Sequence, residues 1–395
     1  MQTATNNPIG DAWQSHEDRD GSRGSRWQDE PESGKASRKA KAKSPIWAKV
    51  TISIGAVILV LSIVALVGAN LLLNRVTGSV DQKKMLGDAG VTDTKGKPAL
   101  DGVLNVLMIG TDERTGLAGS RADTIIVLHI NATHDAAYML SVPRDTLVTI
   151  PAFPKSKFKG SREKINAAYE YGSLNGAGRE GGFELLAKTV SQITGLNFNA
   201  GAIVNFAGFE AVVNALGGID MCIDETTTSY DHNTKGQELG RYGGPAMVYN
   251  KGCRHLLPWQ ALDFVRQRHS VAGGDYGRQR HQQQFVKAVA KAAMNQGLTD
   301  PAKLDRVMTA AGKALTVDPG AASLTDWLFA LKGLGVDKMT MLNTNGGAYA
   351  SLKCADGVSD CQQLTPESEQ MFAAAKNDKL PDFIRQHPTW VAPDK

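Results

Sequence analysis

Residues 50–74, VTISIGAVILVLSIVALVGANLLLN, contain no ionisable side chain. As a helix rising 1.5 Å per residue this stretch would run about 37 Å, enough to cross a hydrocarbon core of roughly 30 Å with some tilt. Ile, Val and Leu cover the whole cylinder without a polar stripe, which argues against a buried soluble helix. A cleaved signal peptide would need a 49-residue charged leader and an apolar core far beyond the usual length of about 7 to 15 residues. Residues 47–75 are therefore read as one membrane-spanning helix.

Charge gives that helix a direction. Lys35, Arg38, Lys39, Lys41, Lys43 and Lys49 precede it, whereas only Arg75, Lys83 and Lys84 follow closely. The Lys/Arg bias puts the N-terminus in the cytoplasm and everything after about residue 76 outside. Residues 1–46 are polar and lack an apolar period, so they read as a disordered cytoplasmic tail whose basic groups serve topology and anionic lipid. Residues 76–101 read as a polar linker, 102–298 as the main folded domain, and 299–395 as a C-terminal extension packed on it or following it. No separate activity is assigned to that extension.

The chain has 395 residues, a net charge of +4 and 21% charged residues, which excludes a disulfide miniprotein, a wholly disordered chain and a multispanning membrane protein. Beyond residue 49 there are 35 basic against 33 acidic groups, so the folded part is nearly neutral and nucleic acid is not an expected partner. All four cysteines lie on the proposed outer side, where an oxidising environment favours disulfides. Cys354 and Cys361 are close across a turn-rich stretch and are the simplest pair. Cys222 with Cys253 is the remaining pair, although separation alone does not place them together.

Apolar runs at 103–110, 124–130 and 136–142 read as strands, with a short strand at AGAIV and another at KMTMLNT. Helices are expected around 164–171, 181–194, 206–216, 257–268, 276–294 and in DWLFALKGL. The pattern is mixed α/β, a sheet covered by helices. His129, within a strand, reads as structural.

The informative residues are charges at strand ends, where ligands of α/β sheets commonly bind. Asp112 and Arg114 follow the first strand, Arg121 and Asp123 precede the second, and Arg144 and Asp145 follow the third. Asp263, Arg266, Arg268, Asp275, Arg278 and Arg280 crowd 18 residues near the end of one helix and the start of the next. Repeated Arg suits a multiply charged oxyanion, because a planar guanidinium holds two oxygens at once. Asp beside Arg suits a hard divalent cation bridging the same anion. Taken singly, each Asp–Arg pair is more often a surface ion pair. In QRHQQQ, Arg278, Gln282 and Gln283 are offered to one side, with a solvated face as the alternative for Gln279 and Gln284.

Several stretches together resemble the LytR-CpsA-Psr family of envelope phosphotransferases: LNVLMIGTDER at 104–114, SRADTIIVLHI at 120–130, LSVPRDTLV at 140–148, KINAAYEYG at 164–172, VNFAGFEAVVNALGGIDM at 204–221 and ALDFVRQRHSVAGGDYGRQRHQQQF at 261–285. The resemblance implies an α-β-α sandwich with a central mixed β-sheet, an apolar pocket for a polyprenyl chain, and arginines at its mouth around a pyrophosphate. It makes 102–298 the catalytic domain. The implied activity moves a glycopolymer from a polyprenyl-pyrophosphate carrier to a peptidoglycan hydroxyl at the cytoplasmic membrane. By the same resemblance, Asp112 and Asp123 match carboxylates associated with Mg²⁺, with Mn²⁺ as an alternative, and Asp275 matches a further acidic residue near the metal. Arg121, Arg144, Arg266, Arg268 and Arg278 match phosphate-facing arginines, and Arg114 and Gln282 are supporting candidates. The family often has Arg where this chain has His281, which leaves Arg280 as a substitute one position earlier. Asp275 or Asp123 is the candidate for taking the acceptor's proton. A hydrolase of the same pyrophosphate and a noncatalytic glycopolymer-binding protein are the rival readings. A DNA-binding regulator is disfavoured by the exterior location.

Overall fold

The computed structural model describes residues 80–91, 100–111, 120–296, 309–310, 312, 315–331 and 333–393. The tail, the proposed span 47–75, Asp112 and Arg114 lie outside the described residues. Among the described residues no helix is long and apolar enough to cross a membrane.

The strands are β1 Asp81–Gln82, β2 Leu104–Thr111, β3 Ala122–Ile130, β4 Ala137–Ser141, β5 Leu147–Ile150, β6 Ser161–Lys164, β7 Ala200–Asn205, β8 Ile219–Ile223, β9 Thr227–Asn233, β10 Ala246–Tyr249, β11 Gly252–Leu256, β12 Leu315–Asp318, β13 Met339–Asn343, β14 Ser351–Lys353 and β15 Asp360–Gln362. Seven of them form one sheet in the order β1, β12, β7, β2, β3, β4, β13. The pairs β1/β12, β7/β2 and β4/β13 are parallel, and the others antiparallel, so the sheet is mixed.

Side-chain alternation along the central strands supplies an apolar face on each side. Leu107, Ile109, Ile125, Val127 and Leu140 pack on one side with Phe183, Leu186 and Val190 of helix Gly178–Thr194 and with Phe372 of helix Pro366–Lys376. Leu104, Ile126, Ile130, Met139 and Met341 pack on the other with Trp327 of helix Leu324–Leu331 and Val286 of helix Asp275–Gln296. The architecture is thus helix, sheet, helix. Each fully buried Leu, Ile or Phe contributes about 1.5–3 kcal/mol, and strands apolar on both faces can sit only in the middle of such a stack. Helix Ala167–Ser173 lies tight against Gly178–Thr194: a Cβ at Gly172 would fall 2.4 Å from the carbonyl of Gly181, so only glycine admits this contact.

A third apolar cluster joins helices Phe206–Leu216 and Pro258–Arg266 to β8 and β11, through Val213, Ile219, Met221, Leu256 and Phe264. Cys222 and Cys253 are directly opposite in the β8/β11 register and form a disulfide. Cys354 and Cys361 form the second, closing the β14/β15 hairpin.

Several expectations change. Lys164 ends β6, and the helix expected from 164 begins at Ala167, after the β5/β6 hairpin that the apolar pattern did not signal. The helix expected at 257–268 stops at Arg266, because Gln267 turns to extended backbone. β12 and β13 come from the segment read as an extension, and β1 from the segment read as a linker, so the sheet reaches beyond residues 102–298 at both ends.

Candidate active site

The site begins with a bulge. Gly110 pairs with Thr124 but Thr111 pairs with Ala122, so Asp123 is the residue skipped in the β2/β3 register. Asp123 therefore lies inside β3, not before it. A bulge bends the strand and re-aims the side chain it carries, a common device beside active sites.

Facing Asp123 is Arg144, in the turn that stops β4. Thr146 donates both its backbone N–H and its hydroxyl to the Pro143 carbonyl, and the Asn166 N–H donates to the Arg144 carbonyl, so the backbone under the guanidinium is fixed from both sides. Arg144 Nη1 donates to Asp123 Oδ1 at 2.6 Å. Its Nε lies 3.6 Å from Asp145 Oδ2 and 3.9 Å from Asp275 Oδ1. Burial works against its charge, but Asp123, Asp145 and Asp275 outweigh it and raise the guanidinium above its ordinary pKa. Lys164 Nζ, 3.2 Å from Asp145 Oδ1, balances the third carboxylate.

Asp275 opens the long helix, where a carboxylate is favoured by the unpaired amides of the first turn. Its own N–H donates to the Tyr349 hydroxyl at 2.6 Å. Arg278 reaches back one turn to Asp275 Oδ1 at 2.5 Å, while Gln279 donates to Asp275 Oδ2 at 3.0 Å. Burial pulls the Arg278 pKa down, with Arg144 and Arg268 adding repulsion and Asp275 and Asp123 opposing it. A Cβ at Gly277 would lie 2.2 Å from Val271 Cγ1, so glycine lets the loop before the helix lie against its first turn.

Four expected residues thus meet directly: Asp123, Arg144, Asp275 and Arg278. Arg268, exposed, acts on Arg278 through charge alone. The others point elsewhere. Arg121 donates to Glu170 at 2.7 Å. Arg266 lines a separate pocket with Glu210, Asp231, His232 and Trp259. Arg280, expected to replace a phosphate contact, is bound instead to Asp224 and Glu225, each at 2.5 Å. His281 is fully buried and stacks on Phe264 with ring centroids 4.1 Å apart.

The glutamines also differ from expectation. Gln279 and Gln284 are buried and not on a solvated face. Gln283 donates to the carbonyls of Met139 and Leu342 and to the Ser141 hydroxyl, fastening the helix across β4 and β13. Gln282 Oε1 is buried with no hydrogen-bond partner among the described residues. His129 is structural: its Nδ1 is 2.8 Å from Asn105 Oδ1, and burial holds it at about 4 despite Asp378.

Sequence reasoning missed Asp224, and Asp263, grouped from the sequence with the strand-end charges, is instead buried among Ser229, His232, Tyr249 and Gln267. Burial disfavours the Asp224 anion, yet hydrogen bonding from His281 and the charge of Arg280 bring its carboxyl to about 2. Asp224, Glu225 and His281 offer three donor atoms within 4.8 Å of one another, but Arg280 already bonds both carboxylates. In Asp123 and Asp275 the site holds hard carboxylate oxygens on either side of one guanidinium, the donor chemistry that suits Mg²⁺.

A family model described as the LytR_cpsA_psr family matches residues 72–377. A curated relative from Oceanobacillus iheyensis, the polyisoprenyl-teichoic acid–peptidoglycan teichoic acid transferase TagU, is 31% identical over 312 residues, covering 78% of this chain and 82% of its own. TagU of Bacillus mycoides is 32% identical over 188 residues, 48% of this chain and 52% of the relative. Among solved structures, B. subtilis TagV superposes with a TM-score of 0.53 at 23% identity, over 71% of this chain and 98% of TagV. TagT bound to LIIa-WTA gives 0.54 at 23%, over 74% of this chain and 96% of TagT. These two likenesses establish the fold.

Proposed function

The chain belongs to the LytR-CpsA-Psr family, and on that premise we propose that it transfers a glycopolymer from a polyprenyl-pyrophosphate carrier to a peptidoglycan hydroxyl. The activity of the O. iheyensis relative, a polyisoprenyl-teichoic acid–peptidoglycan teichoic acid transferase, supports the class of donor and acceptor. The observation that carries the reading is the Asp123–Arg144–Asp275–Arg278 constellation, two guanidiniums held by carboxylates beside the ends of β3 and β4.

In this reaction an acceptor oxygen attacks the phosphorus nearer the glycan. The new P–O bond makes a phosphodiester, the bridging P–O bond breaks, and polyprenyl phosphate leaves with the bond's electrons. The acceptor's proton passes to a carboxylate, Asp275 or Asp123. Phosphoryl transfer asks the protein mainly for alignment and for charge placed against the equatorial and leaving oxygens. Arg144 and Arg278 supply fixed donors for that charge, with Arg268 at the exposed side. Their carboxylate partners hold the forks in place before substrate arrives, so little reorganisation is left for the reaction itself.

A Mg²⁺ ion, or Mn²⁺ in its place, would be held by Asp123 with Asp112 and Asp275, and would supply further positive charge to the pyrophosphate. The uncharged segment 50–74 and its basic upstream flank support a single-pass anchor with the catalytic domain outside. The deciding experiment incubates the full-length protein with a defined lipid-pyrophosphate glycan and peptidoglycan fragments and identifies the products by mass spectrometry. Glycan joined to peptidoglycan through phosphate is the expected product. Free glycan phosphate would mean hydrolysis, and unchanged substrates would mean a binder.

A further inference from the structure

A second constructed site lies outside the clamp. Its centre is Asp263, fully buried on helix Pro258–Arg266. Asp263 Oδ1 accepts from Ser229 Oγ at 3.0 Å, from His232 Nδ1 at 2.8 Å and from Gln267 Nε2 at 2.9 Å, while Oδ2 accepts from the Tyr249 hydroxyl at 2.7 Å. Gln267 also accepts from the Tyr230 N–H and donates to Asp231 Oδ2, so β9 is fastened along the end of the helix. A buried carboxylate with this many donors fixes its neighbours strongly. With Nδ1 turned to Asp263, Nε2 is the ring nitrogen of His232 left for a ligand.

What this network fixes is the wall of a pocket lined by Glu210, Asp231, His232, Trp259, Leu262 and Arg266 around Asp263. The Trp259 and His232 rings are 5.9 Å apart, and Tyr230, 66% exposed, stands beside the His269 ring at 4.9 Å. Three carboxylates against one guanidinium do not make a phosphate cradle, and carboxylates in the wall do not suit a long apolar chain. Carboxylates that accept from hydroxyls, a guanidinium that donates to ring or amide oxygens, and an indole face for the C–H side suit a sugar. Gln267 is extended, so the backbones of Arg266, on the pocket, and Arg268, whose charge acts on Arg278, stand about 7 Å apart at about 3.3 Å per residue.

We propose that this pocket is a pyranose subsite, taking one sugar ring against Trp259 with Glu210, Asp231, His232 and Arg266 at its polar groups. The transfer reading decides only which glycan arrives there, from the acceptor strand or the donor polymer; sugar binding itself stands apart from it.

The test titrates the full-length protein calorimetrically with three probes: an uncrosslinked peptidoglycan strand, a disaccharide pyrophosphate, and inorganic pyrophosphate as a control for the clamp. Asp231→Asn, a change at an exposed residue, and Trp259→Ala are compared after thermal melts confirm folding. Each should weaken a glycan probe roughly tenfold or more, as expected for losing a hydrogen bond to a charged group or a stacking face, and leave inorganic pyrophosphate unchanged. Weakening confined to the strand assigns the subsite to the acceptor, and weakening confined to the disaccharide pyrophosphate assigns it to the donor. Wild-type affinity for both glycans in a folded Asp231→Asn protein overturns the proposal, as does a wild-type protein that binds neither. Sugar binding that persists in a protein without transfer activity would leave the subsite standing while the transfer reading fell.

Discussion

Replacing Arg144 by Ala removes the one side chain that, among the described residues, lies within ion-pair distance of Asp123, Asp145 and Asp275 together. Only the 2.6 Å bond to Asp123 has hydrogen-bond length; the contacts at 3.6 and 3.9 Å act through charge. A hydrogen bond to a charged group is worth about 1.5–3 kcal/mol, and the partners left behind remain 15–29% exposed, so water recovers part of the loss. The net stability cost is set at about 1–2 kcal/mol, a fall in Tm of roughly 2–6 °C for a domain of this size. Because the Arg144 pKa is raised, its contribution is complete below the ordinary guanidinium range and does not vary near neutral pH. Transfer should suffer far more. A preorganised donor aimed at charge that develops in the transition state is worth about 10²–10³ in turnover. The assay compares initial transfer rates with thermal melts for Arg144→Ala and Arg144→Lys. Near-wild-type transfer by a folded Arg144→Ala protein would refute the reasoning, and a loss only in step with lost folded protein would assign Arg144 to holding the turn. A folded, inactive Arg144→Lys protein would show that the forked geometry matters beyond the charge.

Chelation by EDTA should abolish transfer, and Mg²⁺ should restore it in the wild type but much less in Asp123→Asn; full activity in EDTA would remove the metal from the mechanism. His129 is held neutral at about 4 against 6.5 in the unfolded chain. Above pH 6.5 the two states bind equal protons, and stability falls as pH drops from 6.5 towards 4, by about 3 kcal/mol in full; chemical denaturation of His129→Gln across that range should show a flatter slope. From loop lengths alone, losing Cys354–Cys361 should cost about 2 kcal/mol and losing Cys222–Cys253 about 3.5 kcal/mol, read as urea midpoints of Ser variants, and peptide mapping that finds free thiols would reject the pairing. Protease added to intact spheroplasts should digest the large domain and spare the N-terminal tail; the opposite pattern would reverse the proposed orientation.

The central strands were legible because β2, β3 and β4 are apolar on both faces, so their runs stand out whatever the register. Arg144 was legible because Pro143 stops β4 and leaves a charge at the strand end. The Asp123 bulge was not, since a one-residue slip between Gly110 and Thr111 changes no apolar period. The β5/β6 hairpin was missed because SREK carries no hydrophobic alternation. Arg280 was misread for a related reason: spacing along a helix gives the direction of a side chain, but the carboxylates that capture it arrive from the end of β8, more than fifty residues earlier. Asp263 was legible as a charge near the clamp residues in sequence, but not as a buried one, because its partners Ser229, His232 and Tyr249 come from strands upstream.

The order of the sheet has a consequence for how the chain reaches its native state. β7 is flanked by β2 on one side and by β12 on the other, and β4 is covered by β13, so both late strands cap edges formed by sequence far upstream. β1, near residue 81, finds its partner only at residue 316. Such long-range pairing raises contact order and slows folding, since the loop must close before any ladder bond forms. A nascent chain that has emerged only as far as residue 298 would carry β4 and β7 as bare edges, open to pairing with other chains. The C-terminal segment thus acts late, as the piece that closes the sheet against aggregation, and a fragment cut to the sequence motifs alone is expected to be insoluble.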